Sequence, residues 1–180
     1  MKHPLTVYIA ALLFMFAFAG CSSNDDGDCQ GVDCLPAATQ TGENTFGALI
    51  DGEPFIPGGG PNPLDCIYQL VNGERYFTLQ ANKRDEDFNR ITLALLTNTK
   101  ELEAGQSYQL LTNDVGNVYG LYSFATNLSQ TNLDYTGSLT ISRLDINAQI
   151  ISGTFDFEIL DYQGVLRRVT NGRFDMRFTQ

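Results

Sequence analysis

One residue of the sequence, Cys21, has a well-defined covalent chemistry because of what precedes it. It follows Ala19-Gly20 and an uncharged run from Leu5 to Phe18, and Lys2 stands before that run. A short basic start, an apolar segment too short to span a bilayer and small residues before a cut site are the parts of a secretory signal. A Cys directly after the small residues is typical of lipoprotein signals. We therefore expect residues 1–20 to be removed and Cys21 to carry the lipid anchor, in which a diacylglyceryl group and an N-acyl chain together hold a protein stably. An ordinary secretory signal, with Cys21 in a disulfide, is the alternative.

Three carboxylates, Asp25, Asp26 and Asp28, follow Cys21 closely. They fit a solvated linker, and they equally resemble the acidic export signal that follows the lipidated Cys in surface-exposed Bacteroidota lipoproteins. Closely spaced hard oxygens also suit Ca²⁺, but the distal Glu of a full calcium loop is missing. The anchored protein is accordingly expected at the outer membrane, facing the cell exterior if the run is an export signal and the periplasm if it is not.

Catalytic chemistry is narrowly limited once residues 1–20 are removed. The only histidine of the chain, His3, is lost, and the sequence has no Trp. This excludes histidine-dependent triads and His-ligated zinc in the mature chain. Asp156 and Glu158, about 6.6–7 Å apart on one strand face, have a spacing that glycoside hydrolysis tolerates. Alternating acids on a solvated strand face are ordinary surface, however, so we expect no enzyme and no cofactor.

The charge balance bears on the partners. Without Lys2, ten basic residues stand against 21 acidic ones, and the formal net charge changes from −10 to −11. This disfavours nucleic acid as a partner, because binding requires Lys and Arg to replace counterions. A neutral glycan or a cation is an easier partner, and membrane association is expected through the lipid on Cys21.

Cys29, Cys34 and Cys66 remain in an oxidising compartment. A Cys29–Cys34 disulfide with Cys66 as a buried free thiol is the favoured arrangement. Pairing of Cys66 with either of the others stays open, because spacing alone does not decide connectivity.

The pattern that must position these residues has a period of two from residue 45 onward. In the clearest case, Phe174, Met176 and Phe178 alternate with residues 173, 175, 177 and 179, which are Arg, Asp, Arg and Thr. Such alternation indicates a strand with one dry face and one wet face. It places Asp175 on the wet face, and the polarity of these faces favours an antiparallel sheet.

Turn residues support the same architecture. Asn72-Gly73, Asn171-Gly172 and Asp51-Gly52 are each expected to form a tight turn, because these residues tolerate positive φ. We predict an all-β antiparallel β-sandwich, with a closed calycin-like or lipocalin-like barrel as the alternative. The predicted organisation is a signal peptide at 1–20, an acidic flexible tether at 21–43 and a single β domain at 44–180.

Two blocks of the sequence carry a family resemblance. The first runs through Asn44-Thr45-Phe46-Gly47 and Leu49-Ile50-Asp51-Gly52, and the second comprises residues 151–157 and 171–175. Both are similar to the opening and closing blocks of an uncharacterised family of Bacteroidota outer-membrane lipoproteins. The resemblance implies an envelope lipoprotein and no mechanism.

A binding surface is the remaining functional feature that the sequence offers. Val118 to Phe124 is the richest aromatic run of the domain, and Tyr119 lies on the opposite strand face from Tyr122 and Phe124. Aromatic side chains at this spacing most often pack in a core, and the alternative is that Tyr119 is exposed as a stacking platform for a sugar or an apolar ligand. The favoured function is a non-catalytic binding module for a glycan, a small ligand or a protein. The alternative is a structural or assembly subunit of an envelope complex with no small-molecule ligand.

Overall fold

Strands account for nearly all the regular structure of residues 29–180, the part of the chain that the computed structural model describes. The eleven strands are β1 Thr45–Ile50, β2 Glu53–Phe55, β3 Leu64–Val71, β4 Glu74–Arg84, β5 Arg90–Thr97, β6 Ser107–Leu110, β7 Val118–Phe124, β8 Asn127–Gln130, β9 Gly137–Asp145, β10 Ile150–Leu160 and β11 Leu166–Arg177. A single 3-10 turn, Gly31–Cys34, precedes them. Within this range no helix is long and apolar enough to cross a bilayer.

The strands form one sheet in the order β2-β1-β11-β10-β9-β6-β7-β5-β4-β3, and β8 pairs with the second half of β7 on the side where β6 pairs with its start. Its pairs are antiparallel except for the short β6–β7 contact, a single parallel pair between Leu110 and Val118. The sheet is not closed, because β2 and β3 stand at its two ends, and only a bridge from Ile67 to Thr179 holds β3 to the tail after β11. The predicted all-β sandwich is therefore confirmed, and the closed barrel is not what the chain forms.

The core lies between the two halves of this folded sheet. Aromatic rings from both halves meet there, with centroids 6.4 Å apart for Phe77 and Phe174 and 5.7 Å apart for Tyr68 and Phe178. The alternation of β10 is as predicted, since Phe155, Phe157 and Ile159 are buried and the residues between them are exposed. Inward-facing residues of two sheet layers thus supply the apolar burial that stabilises the fold.

Two of the three predicted turns are present. Asp51-Gly52 joins β1 to β2 and Asn72-Gly73 joins β3 to β4, with positive φ at all four residues. The turn predicted at Asn171-Gly172 is wrong, because β11 runs through both residues.

Asn171 instead forms a bulge within β11. Its φ is +53°, and the pairing of β11 shifts register at this point with both β1 and β10. Gly172 follows because the ring of Phe155 lies against it, and an added Cβ would be 2.6 Å from that ring. Asn-Gly marks positive φ in either setting, and only the neighbouring strands decide whether the chain reverses or continues.

The domain begins earlier than residue 44, which corrects part of the predicted tether at 21–43. Leu35 is buried, and Pro36 packs on Gly47 so closely that a Cβ there would lie 2.6 Å from the proline ring. Residues 35–43 therefore pack on the sheet although their composition is polar. Residues 21–28, with Cys21 and the three aspartates, lie outside the described residues.

Asp175 explains how this polar segment is held. It is 1% exposed, although the alternation predicts it on the wet face. Its Oδ2 accepts hydrogen bonds from the Thr39 hydroxyl and from the amides of Thr41 and Glu43, at 2.7, 2.8 and 3.2 Å. Its Oδ1 accepts from the amide of Gly42 at 2.8 Å and the hydroxyl of Ser152 at 2.7 Å. The prediction fails because the residues 39–43 cover this face of β11 and supply the hydrogen bonds that replace water.

Candidate ligand-binding cavity

One end of the sandwich contains a cavity of about 420 Å³, which we call the end cavity. Strands β1, β4, β7 and β10 end here, and β5 and β11 begin here. Because each strand contributes its last or first inward-facing residues, the cavity continues the apolar core outward to solvent. The open end of a sheet sandwich is a common place for a small-molecule site.

The wall of the end cavity is mostly apolar and aromatic. Tyr122 and Phe124 lie two residues apart on one face of β7, and Ile91 of β5 pairs directly with Phe124. Ile50 and Phe55, from β1 and β2, complete this wall. Tyr122 is 6% exposed and lines the cavity. Its phenol brings a polar group to this otherwise apolar wall.

The rim of the cavity is polar and rigidly held. Arg167 donates from Nε to Asp161 at 2.9 Å and from Nη1 to Asp51 at 3.0 Å. Asp161 is buried and also accepts the amides of Gln163 and Val165, each at 2.9 Å. Asp161 lies in the turn between β10 and β11, and Asp51 lies in the turn between β1 and β2. The Arg167 guanidinium binds both carboxylates and so joins the two turns.

These contacts keep the charged groups ionised. Burial alone would raise the pKa of Asp161, but the amide of Val165, the Arg167 guanidinium and the amide of Gln163 outweigh it, so the pKa is lowered. The hydrogen bond to Asp51 is the largest effect that raises the pKa of Arg167. Burial raises the pKa of Tyr122, which therefore stays protonated at neutral pH. None of the three groups exchanges a proton near pH 7, so the arrangement suits binding rather than acid–base catalysis.

Two further residues shape the mouth of the cavity. Tyr162 is 49% exposed in the loop between β10 and β11. Lys83 donates from Nζ to the carbonyl of Pro54 at 2.9 Å and has no carboxylate within 4.0 Å among the described residues. An aromatic side chain and an unpaired cation are thus both accessible at the entrance.

Tyr119 is buried, so the alternative in which it is an exposed stacking platform is not what the structure shows. It is 9% exposed, on the opposite face of β7 from Tyr122. β7 is an interior strand, paired with β5 on one side and with β6 and β8 on the other. The same run does contribute to the end cavity, through Tyr122 and Phe124.

The paired acids of β10 lie apart from the cavity. Asp156 and Glu158 are on the exposed face of the strand, where Asp156 accepts from the hydroxyl of Ser138 at 2.9 Å and Glu158 pairs with Arg168 at 2.9 Å. Neither lines the end cavity.

The three cysteines of residues 29–180 form one disulfide and leave one free thiol. A disulfide joins Cys29 to Cys34, and Cys66 is a buried free cysteine in β3. Burial, and secondarily the charge of Asp65, raises the pKa of the Cys66 thiol, so it has little thiolate character. Within residues 29–180 no cluster of three or more His, Cys, Asp or Glu is placed to hold a metal ion.

Sequence reasoning missed Asp161 and Arg167, since a buried acid after a strand and an Arg near a strand start have no distinctive spacing. Asp51, read as a turn former, does form the turn and also binds Arg167. Comparison of the chain with protein-family models, with curated proteins and with solved structures gave no match.

Proposed function

We propose that this protein is a lipid-anchored, non-catalytic binding module of the outer membrane, and that the end cavity takes a neutral glycan. We infer a glycan from one observation, the combination of an aromatic wall with a fixed polar rim. Sugar rings present flat C–H faces that pack on aromatic side chains, and their hydroxyls need donors and acceptors held in place. Tyr122, Tyr162 and the Arg167 ion pairs supply both.

The charges of the end cavity support a neutral ligand. Three carboxylates, Asp51, Glu53 and Asp161, and two cations, Lys83 and Arg167, line it. Arg167 is already bound by two of the acids, so an anionic ligand would meet a net negative lining.

The lipid anchor on Cys21 is supported by the signal pattern and is compatible with the position of Cys29. Cys29 shares a surface pocket with Gly52, Glu53 and Pro54, and the last two also line the end cavity. The eight positions from Cys21 to Cys29 span at most about 29 Å when fully extended. An anchor on Cys21 therefore keeps the end cavity close to the bilayer that carries the protein, and export directed by Asp25, Asp26 and Asp28 would place that bilayer surface outside the cell.

The sheet edges give less support to a structural or assembly subunit. β2 has three residues, and the first part of β3 is already bonded to Thr179. Short or covered edges are poor templates for strand addition by another chain.

The test is ligand binding by the mature chain, residues 21–180, carrying Cys21→Ser so that it stays free of lipid. Maltohexaose, cellohexaose, xylohexaose and mannohexaose would be titrated by calorimetry. We expect saturable binding of at least one, weakened about tenfold by Tyr162→Ala because one stacking contact contributes about 1–1.5 kcal/mol. Val115→Ala removes a side chain that is 80% exposed at the opposite end of the sandwich and serves as the control. Absence of binding to all four, or equal affinity of wild type and Tyr162→Ala, would refute the glycan site.

A further inference from the structure

A second cavity at the same end of the sandwich has a different chemistry. Its volume is about 240 Å³, and it lies between the loop of residues 58–63 and the β4–β5 hairpin. The charged residues that line it are Lys83, Arg84 and Arg90, with no carboxylate among the described lining residues. We call it the basic cavity.

The three cations of the basic cavity are unneutralised, although acids outnumber bases in the chain. The ion pairs found within residues 29–180 involve other arginines, Arg143, Arg167 and Arg168. The acidic residues of the adjoining loop, residues 85–87, make no ion pair with Arg84 or Arg90, and Asp85 instead accepts from the amide and side chain of Asn89. Collecting three like charges costs electrostatic energy, which an anionic ligand would offset.

The loop against these cations is shaped to approach a small anion. Arg84 lies along it, since a Cβ on Gly59 or Gly60 would be 3.4 Å from the arginine side chain. The amide of Gly58 donates to the carbonyl of Asn82 at 2.9 Å and fixes the loop to β4. The amide of Gly60 has no hydrogen-bond acceptor within the described part of the chain, so it can donate to a ligand.

Two guanidinium groups and a free amide around one small cavity match a tetrahedral oxyanion, and the Lys83 ammonium, which donates to the Pro54 carbonyl, adds positive charge nearby. We propose that the basic cavity binds a phosphate group, carried either by a soluble phosphate compound or by the headgroup of a membrane phospholipid. The first source requires only the basic cavity. The second also rests on the proposed anchor at Cys21, which would hold this end of the sandwich near the bilayer. The site is separate from the glycan site except for Lys83, which lines both cavities.

The soluble arm of the test uses inorganic phosphate and the mature chain with Cys21→Ser. Amide ¹H–¹⁵N shifts would be followed during titration, with sodium chloride matching the ionic strength so that simple screening cancels. We expect saturable shifts confined to residues 58–60, 83, 84 and 90, and a loss of affinity of about tenfold in Arg90→Gln. Arg90 makes no side-chain hydrogen bond among residues 29–180, so this variant should fold normally, whereas Arg84 also donates to the carbonyl of Phe88 at 2.7 Å.

The membrane arm uses cosedimentation of the same protein with phosphatidylcholine vesicles, with and without phosphatidylglycerol. Binding that needs phosphatidylglycerol and is lost in Arg90→Gln would identify the headgroup as the source. The control, Arg75→Gln, removes one charge from β4 at the end of that strand that does not line the basic cavity.

The two arms together decide the proposal. Phosphate shifts that Arg90→Gln weakens and Arg75→Gln does not would support it, and so would the corresponding vesicle result. No specific binding in either arm, or equal effects of the two variants, would overturn it. Tyr162→Ala should leave both phosphate binding and vesicle binding unchanged. The proposal of a glycan site and the proposal of a phosphate site can therefore be refuted independently.

Discussion

Replacing the buried Asp175 by Asn should detach the polar segment 39–43 from the sheet at a measurable cost in stability. Asn keeps one acceptor oxygen and replaces the other with an NH₂ group. That group would then face either the amide of Gly42 or the amides of Thr41 and Glu43, and none of these can act as an acceptor. A buried donor left unpaired costs about 1–3 kcal/mol, and we expect Asp175→Asn to lose about 2–4 kcal/mol of unfolding free energy at pH 7.

The pH dependence of stability gives an independent estimate of the same interaction. Burial would raise the pKa of Asp175, but hydrogen bonds from Ser152, Thr39 and the amides of Gly42 and Thr41 lower it from 3.8 to about 2. A lowered folded-state pKa contributes stability that is present above pH 4 and is lost as the pH falls toward 2. The shift corresponds to roughly 2–3 kcal/mol.

The assay is urea unfolding followed by tyrosine fluorescence, between pH 7 and pH 2, for wild type and Asp175→Asn. The wild type should lose about 2 kcal/mol more than the variant across this range, because Asp175 is half protonated in the folded state at pH 2. Hydrogen exchange at Thr41, Gly42 and Glu43 should accelerate in the variant at pH 7. Asp156→Asn, an exposed acid with one side-chain hydrogen bond, is the matched control and should change stability by less than about 0.5 kcal/mol. If Asp175→Asn were as stable as this control and kept the wild-type pH dependence, the inferred role of the carboxylate would be wrong.

Three other predictions concern packing, anchoring and export. Gly172→Ala should lower the free energy of unfolding in urea by about 1–3 kcal/mol, because the new Cβ would lie 2.6 Å from the Phe155 ring. The control is Gly58→Ala, where no atom lies within 4 Å of the new Cβ. Equal stability of the two variants would contradict the account of the bulge. Cys21→Ser should move the protein from the membrane fraction to the soluble fraction of cells, and its continued partitioning with membranes would exclude the lipid anchor. Protease added to intact cells should digest the wild-type domain but not a variant in which Asp25, Asp26 and Asp28 are all changed to Ala. Equal digestion of the two proteins would show that these acids are not an export signal.

Local patterns were sufficient for the class of fold and for two of its turns. The alternation in β10 and the Asn72-Gly73 pair are properties of neighbouring residues. They therefore predict a strand and a hairpin without any knowledge of the strand order in the sheet. The same local chemistry failed at Asn171-Gly172, because positive φ serves a bulge as well as a reversal. Pairing of β11 with both β1 and β10 decides in favour of the bulge.

The sites required contacts between distant residues. Asp51, Asp161 and Arg167 come together because two turns meet at one end of the sandwich, and Arg84 meets the glycine loop because β4 passes beside it. No spacing along the chain encodes either cluster.

The sequence by itself determined the signal pattern at Cys21, the absence of histidine after residue 3, and an all-β domain, since each depends on residue type or short-range order. Only the tertiary structure decided that Asp175 is buried, that Tyr122 rather than Tyr119 lines a cavity, and that the domain includes residues 35–43. The physical reason is that the burial of a strand residue depends on which segment covers its face, and that segment lies more than a hundred residues away in the case of Asp175.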